Sequence, residues 1–310
     1  MYRPYFRGKQ FELLTIRETA GLMAQAGFVP IIEPVREAFS NLTRALDTIS
    51  DAKGQAVVIV NPRNGEHAEN GERISTFLRE ADWRSEDVSA GLLLKPEMSV
   101  DDALKYYDSH ADLNPIFVHA GFRDPKALAQ RLGDQLRTTE HVFIDDFCGK
   151  PYTRHFRGSR RVLVRDGFRR QKNADYPDYE RFSDLHVTYQ EEGMSGFGDF
   201  LIVGDEYSEG GGPAYAVAIH ITYIDPDRDD VMYVNHYVSI SNSTPTDPAG
   251  KFRQALDKLI DDLDSGDSNI FESEAIQEFR ELHRDRHFPG LGYVKKLAMK
   301  HHIELLANFL

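Results

Sequence analysis

Eight short apolar runs, all but the last closing on a charged or polar residue, punctuate the first two thirds of this chain, and few architectures accommodate such a pattern. They are Tyr2–Arg7, Phe28–Glu33, Ala56–Asn61, Ala90–Lys95, Pro115–His119, His141–Asp145, Arg161–Arg165 and Phe200–Val203. The early runs begin 26 to 34 residues apart, the length of one strand-plus-helix unit. Unbroken stretches such as Ala56-Val-Val-Ile-Val60 and Gly91-Leu-Leu-Leu94 suit parallel strands buried on both faces. Between them lie amphipathic segments: Phe11–Ala26 carries Leu13, Ile16, Ala20 and Met23 on one stripe, and Ser99 and Asp124-Pro125 are helix-start signals. Eight repeats of strand and helix predict an α/β fold, a (β/α)8 TIM-barrel-like domain, rather than an open sheet. No helix is evident between the sixth and seventh runs, so an irregular closure is expected there.

From residue 214 the pattern changes. Tyr215–Ile224 and Val231–Ser241 alternate apolar and polar residues around Asp225-Pro-Asp-Arg-Asp-Asp230, the pattern of an added β-hairpin. A turn centred on residues 227–228 pairs His220 with Asn235 and sends His236 to the opposite face; a slip of one residue reverses that. Three C-terminal helices follow, over Lys251–Leu263, Ser273–Arg284 and Tyr293–Phe309. The expected organisation is a barrel-like domain over residues 1–245, hairpin included, and a helical cap over 246–310 packed on it.

Composition narrows the class. The 310 residues carry a formal charge of −13, with 41% hydrophobic and 28% charged residues, ordinary for a globular protein and unlike a uniformly basic one. The single Cys148 permits no intramolecular disulfide and no cysteine-rich zinc site, which fits a reducing cytoplasm. No run approaches the roughly 18 apolar residues that a membrane span needs.

In a barrel the carboxyl ends of the strands converge on one rim, where active sites form. Lys9, Arg36, Arg63, Lys95 and Arg165 are the candidate anion-binding residues, suited to phosphate, carboxylate or nucleotide. Glu33, His119 and Asp145 are the catalytic candidates, as general acids or bases; such carboxylates could also hold a divalent cation, which leaves the cofactor and metal question open. The competing reading is that these charges pair with one another and fix loops. His220 and His236 invite a metal site only if they share a face. His301 and His302, adjacent on a helix, point in different directions. Gly193–Gly198 precedes an apolar run, whereas a dinucleotide fingerprint follows a strand and opens a helix, so that reading is rejected. Ser208–Pro213 suits a flexible lid or a cation-assisted site. Cys148 lies in no nucleophile motif.

Charge is unevenly distributed. Residues 150–172 hold nine Lys/Arg and one acid, a net +8, and residues 173–250 carry −13. Within the basic stretch and its edge, Arg157, Arg160, Arg161, Arg169 and Arg170 are candidates for contacting nucleic acid or an acidic protein partner, with Tyr152, Phe156 and Phe168 interleaved for stacking. Pairing with the acidic segment is the simpler alternative.

The opening Tyr2-Arg-Pro-Tyr-Phe-Arg-Gly-Lys-Gln-Phe-Glu-Leu-Leu14 and Pro30-Ile-Ile-Glu-Pro-Val35 resemble the bacterial and phage beta family, named after the satellite-phage beta protein. Phe200-Leu-Ile-Val-Gly204, Ala214–Tyr223 and His301-His302-Ile303 are similar in cadence to a bacterial branch of it. The resemblance implies a barrel-like fold and a co-encoded partner, a nuclease or toxin, in a phage-defence or toxin-control cassette. It places Lys9 and Glu33 at the rim and maps no catalytic residue. Two alternatives stand beside that function: a stand-alone enzyme acting on a phosphate ester or nucleotide, and a nucleic-acid-binding module built on residues 150–172.

Overall fold

Residues 1–310 are described in a computed structural model, with the exception of Ser85 and Gly211. The chain divides into two compact units, Met1–Asp166 with Thr188–Phe200, and Gly167–Val187 with Leu201–Leu310.

The first unit is a parallel (β/α)8 barrel. In chain order its elements are β1 (Tyr5–Phe6), α1 (Gln10–Ala26), β2 (Ile31–Ile32), α2 (Ser40–Asp51), β3 (Ala56–Ile59), α3 (Glu72–Glu80), β4 (Val88–Leu94), α4 (Val100–Ser109), β5 (Ile116–His119), α5 (Pro125–Leu132), β6 (Glu140–Ile144), α6 (Lys150–Thr153) and β7 (Arg160–Val164). The chain then supplies β8 (Tyr179–Ser183) to the second unit and passes through the single turn α7 (Leu185–Thr188). It returns as β9 (Gly196–Gly198), the eighth barrel strand. The eight barrel strands pair in the order β1 to β7 and then β9, all parallel. A parallel bridge between Tyr2 and Phe197 closes the ring, reinforced by Arg3 N–H donating to Phe197 O at 2.8 Å and Tyr5 N–H donating to Asp199 O at 2.9 Å.

All seven residues of β4 are buried, as a strand with helices outside and a core inside requires. The interior is filled by alternate residues, among them Tyr5, Ile31, Val57, Leu93, Val118 and Val162. Local signals set the helices: Ser99 and Asp102 form a reciprocal capping box at α4, and Pro125 opens α5. The irregularity expected after the sixth run is present, for α6 is four residues long and is followed by a 3-10 turn over Arg154–Phe156.

The eighth strand differs from the expected one. Phe200–Val203 is not a strand, and Leu201 has φ +51°. Gly196-Phe-Gly198 takes the place because the backbone of the β1 end lies against it: a Cβ on Gly198 would sit 2.2 Å from Arg3 O.

The second unit holds a three-stranded antiparallel sheet, in the order β10 (Ala218–Asp225), β11 (Val231–Val238) and β8, with α8 (Pro248–Leu263), α9 (Glu274–Arg284) and α10 (Leu291–Phe309). The hairpin therefore groups with the C-terminal helices and not with the barrel, so the boundary expected at residue 245 is replaced by the division given above. His301 and His302, expected to point in different directions, both reach Thr222 and tether α10 to β10. His301 Nε2 lies 2.8 Å from Thr222 O, and His302 Nδ1 lies 3.0 Å from Thr222 Oγ1.

Gly198→Ala is expected to force β9 away from β1 and lower stability by about 2 kcal/mol, in the range for overpacked sites. Denaturant unfolding of the variant against the native chain checks this; an unchanged midpoint would show that the closure tolerates the methyl group.

Candidate functional site

Side chains along a strand alternate in direction. The interior residues Tyr5, Ile31, Ile59 and Leu93 therefore put Arg7, Glu33, Asn61 and Lys95, each two residues further on, at the carboxyl mouth of four adjacent strands. Arg7, Glu33 and Asn61 are buried.

Glu33 is the hub of this mouth. Its Oε2 accepts from Arg7 Nη1 at 2.6 Å and from the Tyr5 hydroxyl at 3.0 Å. Its Oε1 accepts from the backbone N–H of Arg63 at 2.8 Å and of Asn64 at 3.2 Å. A carboxylate so fully engaged binds β1, β2 and the loop after β3 together and has no lone pair left for general-base work. The catalytic role expected of Glu33 is thus replaced by a positioning one. Asn61 is likewise committed, donating to Leu93 O and accepting from Leu93 N–H, both at 2.8 Å.

Lys95 differs from its neighbours. It is half-buried, its ammonium donates to Pro62 O at 2.9 Å, and among the described residues no carboxylate lies within ion-pair distance of it. Burial lowers its pKa; Glu97 and Glu33 push it back up, and the like charge of Arg63 lowers it again. The Arg63 guanidinium sits 5.1 Å over the Phe147 ring. The other anion-binding candidates are spread out. Arg36 is exposed and paired with Glu66 at 3.3 Å, Lys9 is the N-cap of α1, and Arg165 donates to Asp145 at 2.6 Å and Glu192 at 2.8 Å. Asp145 is accordingly an ion-pair partner of Arg165, not a poised base.

His119 leaves the mouth altogether. Val118 faces the interior, so His119 points outward among Phe143, Phe156 and Tyr152. The hydrogen bonds there have one consistent direction. The Thr139 hydroxyl donates to Leu136 O at 3.0 Å and so accepts from His141 Nε2–H at 2.8 Å. His141 Nδ1 then accepts from His119 Nε2–H at 2.9 Å, and His119 Nδ1 accepts from the Tyr152 hydroxyl at 2.7 Å. Both imidazoles are neutral and satisfied. Burial depresses both, His141 to about 3, and the neighbouring His141 lowers His119 further. Cys148 is also inert, its thiol pushed up to about 12 by burial.

The five candidate nucleic-acid-binding arginines fall on two separately packed units: Arg157, Arg160 and Arg161 on the barrel, Arg169 and Arg170 on the second unit. Arg160 pairs with Glu140 at 3.5 Å, Arg161 donates to Gly193 O, and Arg170 donates to Glu206 O at 3.1 Å and to Ser208 Oγ at 3.0 Å. Arg157 is exposed, and among the described residues its guanidinium makes no ion pair. The glycine-rich run Ser208–Pro213 includes Gly211, outside the described residues.

The hairpin pair His220 and His236 forms a second constellation, with Glu180 as a member that the residue pattern did not single out. His220 and His236 are register partners, not neighbours across faces, because the loop Pro226–Asp230, with φ of +56° and +55° at Asp229 and Asp230, centres the hairpin on residue 228. Glu180 of β8 joins them: His236 Nε2 lies 3.2 Å from Glu180 Oε1 and His236 Nδ1 lies 2.7 Å from His220 Nδ1. With the carboxylate as acceptor, His236 Nε2–H donates to it. His220 Nδ1–H then donates to His236 Nδ1, and the lone pair of His220 Nε2 ends the chain. Tyr176 stacks on His236 and Phe168 meets His220 edge-on. Burial lowers His236 to about 4 and raises Glu180. A linear chain through both nitrogens of His236 is not a chelate, and among the described residues no group of three or more His, Cys, Asp or Glu is arranged to hold a metal ion.

The fold and mouth define a protein of the (β/α)8 barrel class. No protein-family model matches the chain, and no curated protein matches it. Among solved structures it is similar to a truncated form of 3-deoxy-D-arabino-heptulosonate 7-phosphate synthase from Thermotoga maritima, at 11% identity and a TM-score of 0.31, over 56% of this chain and 78% of that one. So distant a likeness carries no argument about activity. Among the described residues no helix is long and apolar enough to cross a membrane.

The histidines make a pH prediction. In the unfolded chain they titrate near 6.5, whereas His141 is lowered to about 3 and His236 and His301 to about 4 in the fold. Between those values the unfolded chain binds more protons, so stability is complete above pH 6.5 and is lost as pH falls towards 4, at about 1.4 kcal/mol per pH unit for each such histidine. Urea midpoints at pH 7.5, 6 and 5 should fall steadily; a flat profile would contradict the burial of neutral imidazoles.

Proposed function

We propose that this chain is a binding component of a phage-defence or toxin-control cassette, working with a co-encoded protein and holding an anionic group at its barrel mouth. The observation that carries the anion reading is Lys95, a half-buried ammonium whose neighbour Arg63 is also cationic and whose hydrogen-bond partner is a neutral carbonyl. A half-buried ammonium within electrostatic reach of a like charge is stabilised by an anion that it can contact. The Arg7–Glu33 pair fixes the wall behind them. A binding role is also favoured because Glu33, His119 and Asp145 are each engaged by structural partners. The cassette context rests on the family resemblance of the amino-terminal segments.

Titration calorimetry with inorganic phosphate tests the site. Lys95→Gln should weaken binding about tenfold, the loss of one charge-assisted contact, with the melting temperature nearly unchanged. Equal affinity in the variant would remove Lys95 from the function. Co-purification with the neighbouring gene product tests the partner.

The Glu180–His236–His220 chain favours a second reading, an enzyme acting on a phosphate ester. As water attacks phosphorus, its proton passes to His220 Nε2, the His220 Nδ1 proton to His236 Nδ1, and the His236 Nε2 proton to Glu180, while the P–O bond to the leaving group breaks and the departing alkoxide takes its proton from solvent. Hydrolysis of bis(p-nitrophenyl) phosphate that falls at least about a hundredfold in His220→Gln supports this reading; no hydrolysis by the native chain rejects it for diesters.

A further inference from the structure

We propose that the amino-terminal end of the barrel, opposite the mouth, holds a small inorganic anion of halide size on the guanidinium of Arg3. Arg3 lies two residues before the interior Tyr5, so its side chain turns into the barrel beneath the core, and it is 3% exposed. It reaches Glu140 of β6, to which its Nη2 is ion-paired. Between β1 and β6 stand β9 and β7, so this contact spans the barrel floor rather than joining neighbouring strands.

Among the described residues Arg3 Nε and Nη1 are buried and have no hydrogen-bond partner, while Glu140 Oε1 has its ion pair to Arg3 but no hydrogen bond. Arg160, the register partner of Glu140, draws on the same carboxylate at 3.5 Å. Two guanidinia thus share one carboxylate, and the more buried of them has two of its three nitrogens unsatisfied. Buried charged donors without partners are strongly unfavourable. A water molecule would accept one of these hydrogen bonds but leave the excess positive charge. An anion accepts the bond and neutralises the charge. A small anion is inferred because Tyr5, Val142 and Val162, each two residues further along a strand from Arg3, Glu140 and Arg160, belong to the packed core, and Met1 packs against that same cluster. Burial lowers the Arg3 pKa, Glu140 pushes it back up, and the like charge of Arg160 lowers it again.

The site is independent of the mouth, so its tests do not share an outcome with those of Lys95. Crystals of the full chain grown in sodium bromide should show an anomalous peak within hydrogen-bond reach of Arg3 Nε or Nη1, retained in Lys95→Gln. At fixed ionic strength, replacing gluconate by bromide should raise the melting temperature of the native chain and leave Arg3→Met unmoved. Should Arg3→Met fail to purify, Glu140→Gln decides. Removing the competing carboxylate should tighten bromide binding about tenfold. Absence of the anomalous peak, a bromide response retained in Arg3→Met, or unchanged affinity in Glu140→Gln would each overturn the proposal.

Discussion

The two-residue alternation of the barrel strands decides what each charged strand end can do. A residue in phase with Tyr5, Ile31, Ile59 or Leu93 continues into the mouth, and one out of phase lies under the helices. Arg7 and Glu33 are in phase and meet at 2.6 Å in a site from which water is largely excluded. Two charges in such a place need each other and further hydrogen bonds, since either alone would be an uncompensated buried ion. Tyr5 and the backbone N–H groups of Arg63 and Asn64 supply those bonds, so the carboxylate orders the loop that carries Arg63. The mouth is built around that pair, and the cations at its edge are arranged by it.

The same alternation explains which parts of the molecule were legible from residue order. Runs of buried apolar residues at strand-and-helix spacing are a direct consequence of burying both strand faces, so the barrel class followed from them. Strand ends were legible as positions but not as directions. His119 closes an apolar run as Lys95 does, yet Val118 takes the interior phase and leaves the histidine outside. The last strand was hidden for a different reason. Gly196 and Gly198 are small because the backbone near Met1 and Arg3 lies against them, and apolarity, the signal being read, points instead to Phe200-Leu-Ile-Val. In the hairpin, a loop with two left-handed aspartates moved the pairing by one residue, and that single step placed His220 beside His236.

Histidine is used here chiefly as a neutral, two-ended connector. His119 and His141 link Tyr152 to Thr139 behind the barrel wall, and His301 links Ser273 to the carbonyl of Thr222. Each imidazole has one N–H and one lone pair satisfied at fixed ends, which suits a buried position better than a lysine or glutamate would. The chain from Glu180 departs from this pattern: it begins on a carboxylate and ends on His220 Nε2, which has no hydrogen-bond partner among the described residues. An ordered tautomer with an open end is a means of moving a proton, whereas a closed chain only holds residues in place. That difference separates the second unit's histidine pair from the three that serve as internal ties.

Both ends of the barrel carry positive charge, but with different local balance. At the mouth, Arg7 is matched by Glu33, while Lys95 is half-buried, makes no ion pair among the described residues, and lies within electrostatic reach of Glu97, Glu33 and Arg63. At the floor, Glu140 is shared between Arg3 and Arg160, and the unsatisfied donors are on a fully enclosed side chain. A half-buried ammonium keeps partial solvation and tolerates exchange of its partner, which suits a ligand that comes and goes. An enclosed guanidinium has no such reserve, so its counter-ion would be held throughout the life of the fold. The overall charge of −13 therefore says little about what this protein binds. What bears on it is the local balance of charge at each end of the barrel and how much water can reach it there.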